Sequence, residues 1–254
     1  MLLQGKKGVV LNVTNKNSIG WGIVEALHAH GAEVAVGALN DEMLGKVEKL
    51  LEGRDRLSTV VVDFTKEGDL ERVAEELKAR FGQIDFFVHS AAFAPREDLQ
   101  GRFIDTSRNG YLTALDISAY SLVASCKAFE DLFADDASVV TLSFLGSIRA
   151  ALHYNVMGVA KAALESSVRY LAADLGVRGI RVNTLSPGPI NTISARGVSG
   201  LHEKIKHVEG VSPLKRPFGQ DECGSSAVYL CSDLSKGVTG QVIFIDSGYN
   251  IVAL

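Results

Sequence analysis

The chain has few cysteines, no clustered positive charge and no long apolar run, and each shortage narrows what the protein can be. Its three cysteines, Cys126, Cys223 and Cys231, are an odd set without CxxC spacing. That excludes a disulfide framework and the common zinc motifs, and each thiol is expected to be buried and free. No apolar stretch reaches the roughly 18 residues that a membrane helix needs, so no membrane association is expected. The 26 Lys+Arg stand against 30 Asp+Glu, a net charge of −4, and no basic patch interleaves with aromatics. Nucleic acid is therefore not an expected partner. Neither GxSxG nor a grouping of metal ligands occurs, which removes a hydrolase nucleophile elbow and a metal centre from consideration. Met1-Leu2-Leu3-Gln4-Gly5-Lys6-Lys7 runs into an apolar strand with no signal-peptide pattern, so a cytoplasmic location is expected.

What is present is a soluble globular composition, 46% hydrophobic and 22% charged, enough for a large core. Short apolar strands alternate with amphipathic helices from end to end, which predicts a parallel sheet covered on both faces. Strands are expected at 8–13, 33–37, 58–63, 84–89, 137–143, 180–185 and 241–246. Helices are expected at 20–31, 70–81, 112–133, 154–175 and 221–231, the first stopped by Gly31. No linker, repeat or low-complexity tract interrupts residues 1–254, which are expected to form one domain. The fold class is α/β: a Rossmann-type doubly wound, seven-stranded parallel sheet with helices on both faces. Ligands bind such sheets at the carboxyl ends of the strands, and the suggestive motifs all fall there.

The first strand leads into Asn12-Val13-Thr14-Asn15-Lys16-Asn17-Ser18-Ile19-Gly20-Trp21-Gly22. A dinucleotide fold needs small residues and free backbone N–H groups at this turn, so that a pyrophosphate can approach the helix N-terminus. The second strand ends in Gly37-Ala38-Leu39-Asn40-Asp41, with no Arg or Lys before Lys46. A 2′-phosphate wants such a cation and Asp41 would repel it, so NADH is expected over NADPH. Farther on, Ser186-Pro187-Gly188-Pro189-Ile190-Asn191-Thr192 offers backbone around Ile190 for a nicotinamide carboxamide and a Thr192 hydroxyl for a phosphate. Tyr154 and Lys161, six residues between them on a stretch that reads as helix, can face one cleft. A tyrosine hydroxyl can hydrogen-bond a developing oxyanion, and a lysine can hold a ribose and favour negative charge nearby.

The run Tyr154-Asn155-Val156-Met157-Gly158-Val159-Ala160-Lys161 resembles the signature of the enoyl-acyl carrier protein reductases. They are a divergent branch of the short-chain dehydrogenase/reductase superfamily, with Tyr and Lys set farther apart than in ordinary members. The likeness extends over Val13, Asn15, Lys16, Ser18, Ile19, Trp21 and Gly22, over His89 to Pro95, over Asp116 to Ser121 and over Asp246 to Tyr249. It implies an NADH-dependent reductase of enoyl thioesters in fatty-acid synthesis, a homotetramer, with the acyl group on acyl carrier protein or coenzyme A.

By the same resemblance Tyr154 would bond the thioester oxygen and Lys161 the cofactor ribose, while Phe144 stands where bacterial relatives often carry a second tyrosine. Asn12, Ser18, Ile19, Leu39, Asp63, Phe64, Ser90, Ala91, Ala92, Ile190, Asn191, Thr192, Ile193 and Ser194 would contact the cofactor. Ala94, Tyr154, Met157, Leu201 and Ile205 would contact the acyl substrate, under a lid at 193–208. The chain departs from the family pattern at Asn12, which replaces an opening glycine, at Leu39, which cannot hydrogen-bond a ribose, and at Phe144. His89 is expected to be structural, and Tyr120 to be packing or a subunit contact. Two alternatives stay open on sequence: a carbonyl or enoyl-CoA reductase of another pathway, and a dinucleotide-binding sensor with impaired catalysis.

Overall fold

The computed structural model describes residues 1–192 and 200–252. Seven strands form one sheet: β1 (Lys7–Leu11), β2 (Glu33–Ala38), β3 (Leu57–Val61), β4 (Ile84–His89), β5 (Phe133–Leu142), β6 (Arg181–Pro187) and β7 (Val242–Ile245). Their order is β3-β2-β1-β4-β5-β6-β7 and every pairing is parallel. Because side chains alternate across a strand, each central strand feeds both faces. Val9, Phe87, Val139 and Val182 pack with Val73 and Leu77 of α3 (Asp69–Phe81) and with Leu164 and Val168 of α6 (Val156–Leu175). Their neighbours Val10, Val88, Val140 and Leu185 pack on the other face, with Ile23 and Leu27 of α1 (Ile19–Ala29) and Leu230 of α8 (Gln220–Cys231). Burial on both faces explains why the strands read as continuous apolar runs.

Strand order reverses between β1 and β4, which opens a crevice at their carboxyl ends. Helix α1 points its N-terminus at that crevice, and its depth depends on how closely α1 and α8 meet. A Cβ on Gly224 would lie 2.6 Å from the Gly22 carbonyl, and one on Gly22 would lie 2.6 Å from the Gln220 carbonyl. The backbones touch, so a side chain there must push the helices apart. Gly224→Val is expected to cost about 1–3 kcal/mol through overpacking. The check is a urea melt: a lower midpoint at unchanged slope, whereas a wild-type midpoint would contradict the close approach.

Four elements differ from the sequence reading. Helix α2 (Asp41–Leu51) was not anticipated; it is capped by Asn40, whose side chain accepts from the Met43 amide, and buries only Val47 fully. A mostly exposed helix after a turn-rich stretch gives little periodic signal. The helix expected at 112–133 runs instead from Arg108 to Ala128, as α4 (Arg108–Leu115), a π-helical segment (Asp116–Tyr120) and α5 (Ser121–Ala128). Strand β5 then begins at Phe133, four residues earlier than expected, because Asp135-Asp136 forms an exposed irregularity inside the strand rather than a turn before it. Lastly, α6 begins at Val156, so Tyr154 stands outside the helix. Helix α7 (Leu201–Val211) overlaps the segment assigned to a lid.

Candidate active site

Tyr154 is set in a tight reversal rather than on a helical face. Its neighbours both adopt left-handed backbone, His153 at φ 61° and Asn155 at φ 42°. Such a conformation is costly for a non-glycine residue, and the side chain of Asn155 offsets it by donating to the Asp98 carbonyl at 3.3 Å. The reversal swings the ring over Gly146, where a Cβ would lie 2.6 Å from the tyrosine ring. Phe144 meets the same ring edge-on, with centroids 4.8 Å apart at 61°. It thus forms an apolar wall beside Tyr154 and offers no second hydroxyl. Among the described residues the Tyr154 hydroxyl makes no hydrogen bond, and burial raises its pKa, so the phenol keeps its proton as a donor.

Lys161, one turn into α6, is almost wholly buried and donates to the Leu142 carbonyl at 2.7 Å. Burial lowers its ammonium to about 8, opposed by the charge of Glu165. Glu165, also buried, accepts from the Ser143 hydroxyl at 2.5 Å. Ser143 therefore turns into the layer beneath the cleft, away from the tyrosine, and takes no part as an oxyanion donor. His89 fills the same layer, its ring nitrogens 3.0 Å from Thr141 Oγ1 and 2.8 Å from Ser121 Oγ. Burial first, and Lys161 second, push its pKa down to about 3. A neutral histidine tied on both nitrogens is structural, as expected.

Beside Tyr154 lies a small apolar cluster of its own. Met157, Val156, Ala160 and Ala114 form it, and Ala94, Leu115 and Tyr154 pack against it. The π-helical segment turns Ser118 so that its hydroxyl accepts from the Phe93 amide at 2.9 Å and donates to the Phe93 carbonyl at 3.0 Å. The loop carrying Ala94 is held in place by those two bonds. Leu201 of α7 is buried, and Ile205 lines a cleft of about 350 Å³ together with Asn17, Pro189, Ile190 and Asn191.

At the cofactor end, Asn12 takes the left-handed backbone that its type tolerates, φ 64°. Its side chain does not protrude freely; Nδ2 spans the crevice and donates to the Ser90 carbonyl at 3.2 Å. Ser18 caps α1 by accepting from the Trp21 amide at 3.1 Å. That leaves the Ile19 and Gly20 amides without an acceptor among the described residues, aimed out of the helix N-terminus. Leu39 is 39% exposed at the end of β2. Asp63 uses one carboxylate oxygen locally, accepting from the Thr65 amide at 3.0 Å and the Thr65 hydroxyl at 2.7 Å. Phe64 stacks edge-on against His89 at 5.6 Å, with Ala91 buried and Ala92 exposed nearby. Ile193 and Ser194, and with them the first half of the expected lid, lie outside the described residues.

Sequence reasoning missed Glu165, the Asn155 tether and the Ser118 clasp. Lys161 and Glu165 stand four apart on a helix, a spacing that reads as an exposed ion pair until burial is known. The π segment has no sequence mark of its own.

The chain is similar to known proteins over nearly its whole length. The profile described as Enoyl-(Acyl carrier protein) reductase matches residues 13–250. An NADH enoyl-acyl-carrier-protein reductase of Nostoc sp. is 44% identical over 99% of each chain. One from Rhizobium meliloti is 45% identical over 100% of this chain and 93% of its own. A solved Bacillus cereus enoyl-acyl carrier protein reductase, with NADP+ and an indole naphthyridinone, aligns at TM-score 0.96 and 44% identity over 100% of this chain and 99% of that one. The Anaplasma phagocytophilum enzyme, in complex with NAD, aligns at TM-score 0.96 and 41% identity over 100% and 97%.

Proposed function

The chain belongs to the enoyl-acyl carrier protein reductase family, and from that premise we propose that Tyr154 and Lys161 carry the NADH-dependent reduction of a trans-2-enoyl thioester in fatty-acid biosynthesis. The observation that carries the reading is a tyrosine hydroxyl with no partner among the described residues, just ahead of α6, and a buried lysine within α6, at the carboxyl end of a doubly wound sheet. The residues present fit a dinucleotide: the unpaired amides of Ile19 and Gly20 suit a pyrophosphate, and the stretch after β2 carries no cation for a 2′-phosphate. Asn12, Ser18, Leu39, Asp63, Phe64, Ser90, Ala91, Ala92, Ile190, Asn191 and Thr192 would line its length. NADH held there would supply the hydride that C3 of the substrate accepts. Tyr154 donates to the thioester oxygen as enolate charge builds there. Lys161 would hold the ribose hydroxyls and supply positive charge that favours the developing enolate. Phe144, Ala94, Met157, Leu201 and Ile205 keep the acyl chain in apolar surroundings, which exclude water from the reacting carbon.

The substrate in this reading is an enoyl thioester on acyl carrier protein or coenzyme A. Residues 1–254 act as one domain with a lid at 193–208. Tyr111, Leu112 and Tyr120 on the α4–α5 face and Tyr170 on α6 are exposed large side chains, and subunit contacts there would complete a homotetramer. Among the described residues no helix is long and apolar enough to cross a membrane, and a cytoplasmic enzyme is in keeping with that.

The test follows loss of reduced nicotinamide with crotonyl-CoA, with a crotonyl carrier protein and with a simple ketone, using NADH and NADPH side by side. Turnover of both enoyl thioesters, faster with NADH, is the expected result. Reduction of the ketone alone, or cofactor binding without turnover, would overturn the reading.

A further inference from the structure

The mechanism above leaves the buried Glu165 unused. Helix α6 presents two charged side chains to the interior, Lys161 at 4% exposure and Glu165 at 6%, one turn apart. They grip successive residues at the end of β5. Lys161 Nζ donates to the Leu142 carbonyl at 2.7 Å, and Ser143 Oγ donates to Glu165 Oε1 at 2.5 Å. The strand end is thus fastened twice, by a cation on a carbonyl and by an anion on a hydroxyl.

A lone ammonium in such surroundings is unfavourable, because desolvation disfavours its charged form. The groups around it leave one source of compensation. His89 on β4 is neutral and tied on both nitrogens. Tyr154, ahead of α6, keeps its proton. Asp116 and Tyr120 on the π-helical segment face solvent, and on β6 the buried Thr184 and Ser186 bring hydroxyls only. Glu165, one turn along the same helix and buried in the same layer, brings a carboxylate whose charge favours the protonated ammonium.

We infer that Glu165, oriented by Ser143, is a positioning residue: the internal counter-ion that keeps Lys161 charged and seated on the Leu142 carbonyl, and so sets the alkaline limit of NADH binding and reduction. The link to reduction rests on the function proposed above; the link between Glu165 and the charge of Lys161 does not.

Glu165→Gln keeps the shape and the oxygen that Ser143 donates to, and removes only the charge. NADH affinity, read by fluorescence from mildly acid to alkaline pH, and kcat/KM over the same series are the measurements. The alkaline limb of both is expected to move down by about one pH unit or more, the size of a near-charge effect, with acid-side NADH affinity retained. Ser143→Ala, which loosens the carboxylate without deleting it, is expected to move the limb the same way by less. A folded Glu165→Gln protein, judged by circular dichroism, whose limb coincides with the wild type would overturn the inference. If that variant does not fold, an unmoved limb in Ser143→Ala overturns it instead. A wild type that binds NADH with the shifting limb but reduces no enoyl thioester would sink the proposed function and leave the counter-ion role standing.

Discussion

Tyr154→Phe is expected to lower kcat on an enoyl thioester by about 10²–10³-fold, the cost of deleting one preorganised oxyanion donor. NADH affinity should stay near wild type, because the ring and not the hydroxyl is what the fold engages. Phe144 holds that ring edge-on and Gly146 admits it, and a phenylalanine satisfies both. The loss should fall at the upper end of the range for a reason particular to this chain: Phe144 offers no second hydroxyl to take over. Deleting the Tyr154 hydroxyl therefore leaves the enolate oxygen with the charge of Lys161 and no side-chain donor beside it. The measurement is steady-state kinetics with NADH and crotonyl-CoA. An unchanged kcat/KM would remove Tyr154 from the chemistry. A raised KM for NADH at unchanged kcat would reassign it to cofactor binding.

The sheet was legible because strands buried on both faces write uninterrupted apolar runs, and because the Gly- and Asn-rich turns fall at their carboxyl ends. All seven strands lie close to where the pattern puts them. What escaped was governed by contacts far apart in sequence. Tyr154 was read as helical since nothing in Tyr154-Asn155-Val156 breaks a helix by composition; the reversal exists because Asn155 reaches the carbonyl of Asp98. Asn12 stands where the family pattern opens with glycine, and its side-chain partner, the Ser90 carbonyl across the crevice, is a residue that no local pattern pairs with it. The π-helical turn in α4–α5 is stabilised by Ser118 clasping Phe93, a partner 25 residues away that no local propensity encodes. The buried layer under Lys161 appears only once the fold brings β5 and α6 together.

Lys161→Met is expected to lose more than Tyr154→Phe, because it removes both a ribose contact and the local positive charge. A fall in kcat/KM on the order of 10³-fold with weakened NADH binding is the expected outcome. The wild-type pH series supplies the control. Burial holds the Lys161 ammonium down to about 8, against an ordinary value of 10.5. Between those two values the unfolded chain binds more protons at this position than the folded one, so the lysine's contribution to stability rises with pH. Its contribution to activity moves the other way, since the neutral amine no longer bears the charge that catalysis uses. Turnover should therefore decline as pH passes about 8 while thermal melts in the same buffers show no loss of fold traceable to Lys161. The Met variant, with no ammonium to lose, should show its residual activity without that limb. A wild-type activity limb that follows the unfolding transition instead would mean that the lysine's charge is not what the reaction consumes at alkaline pH.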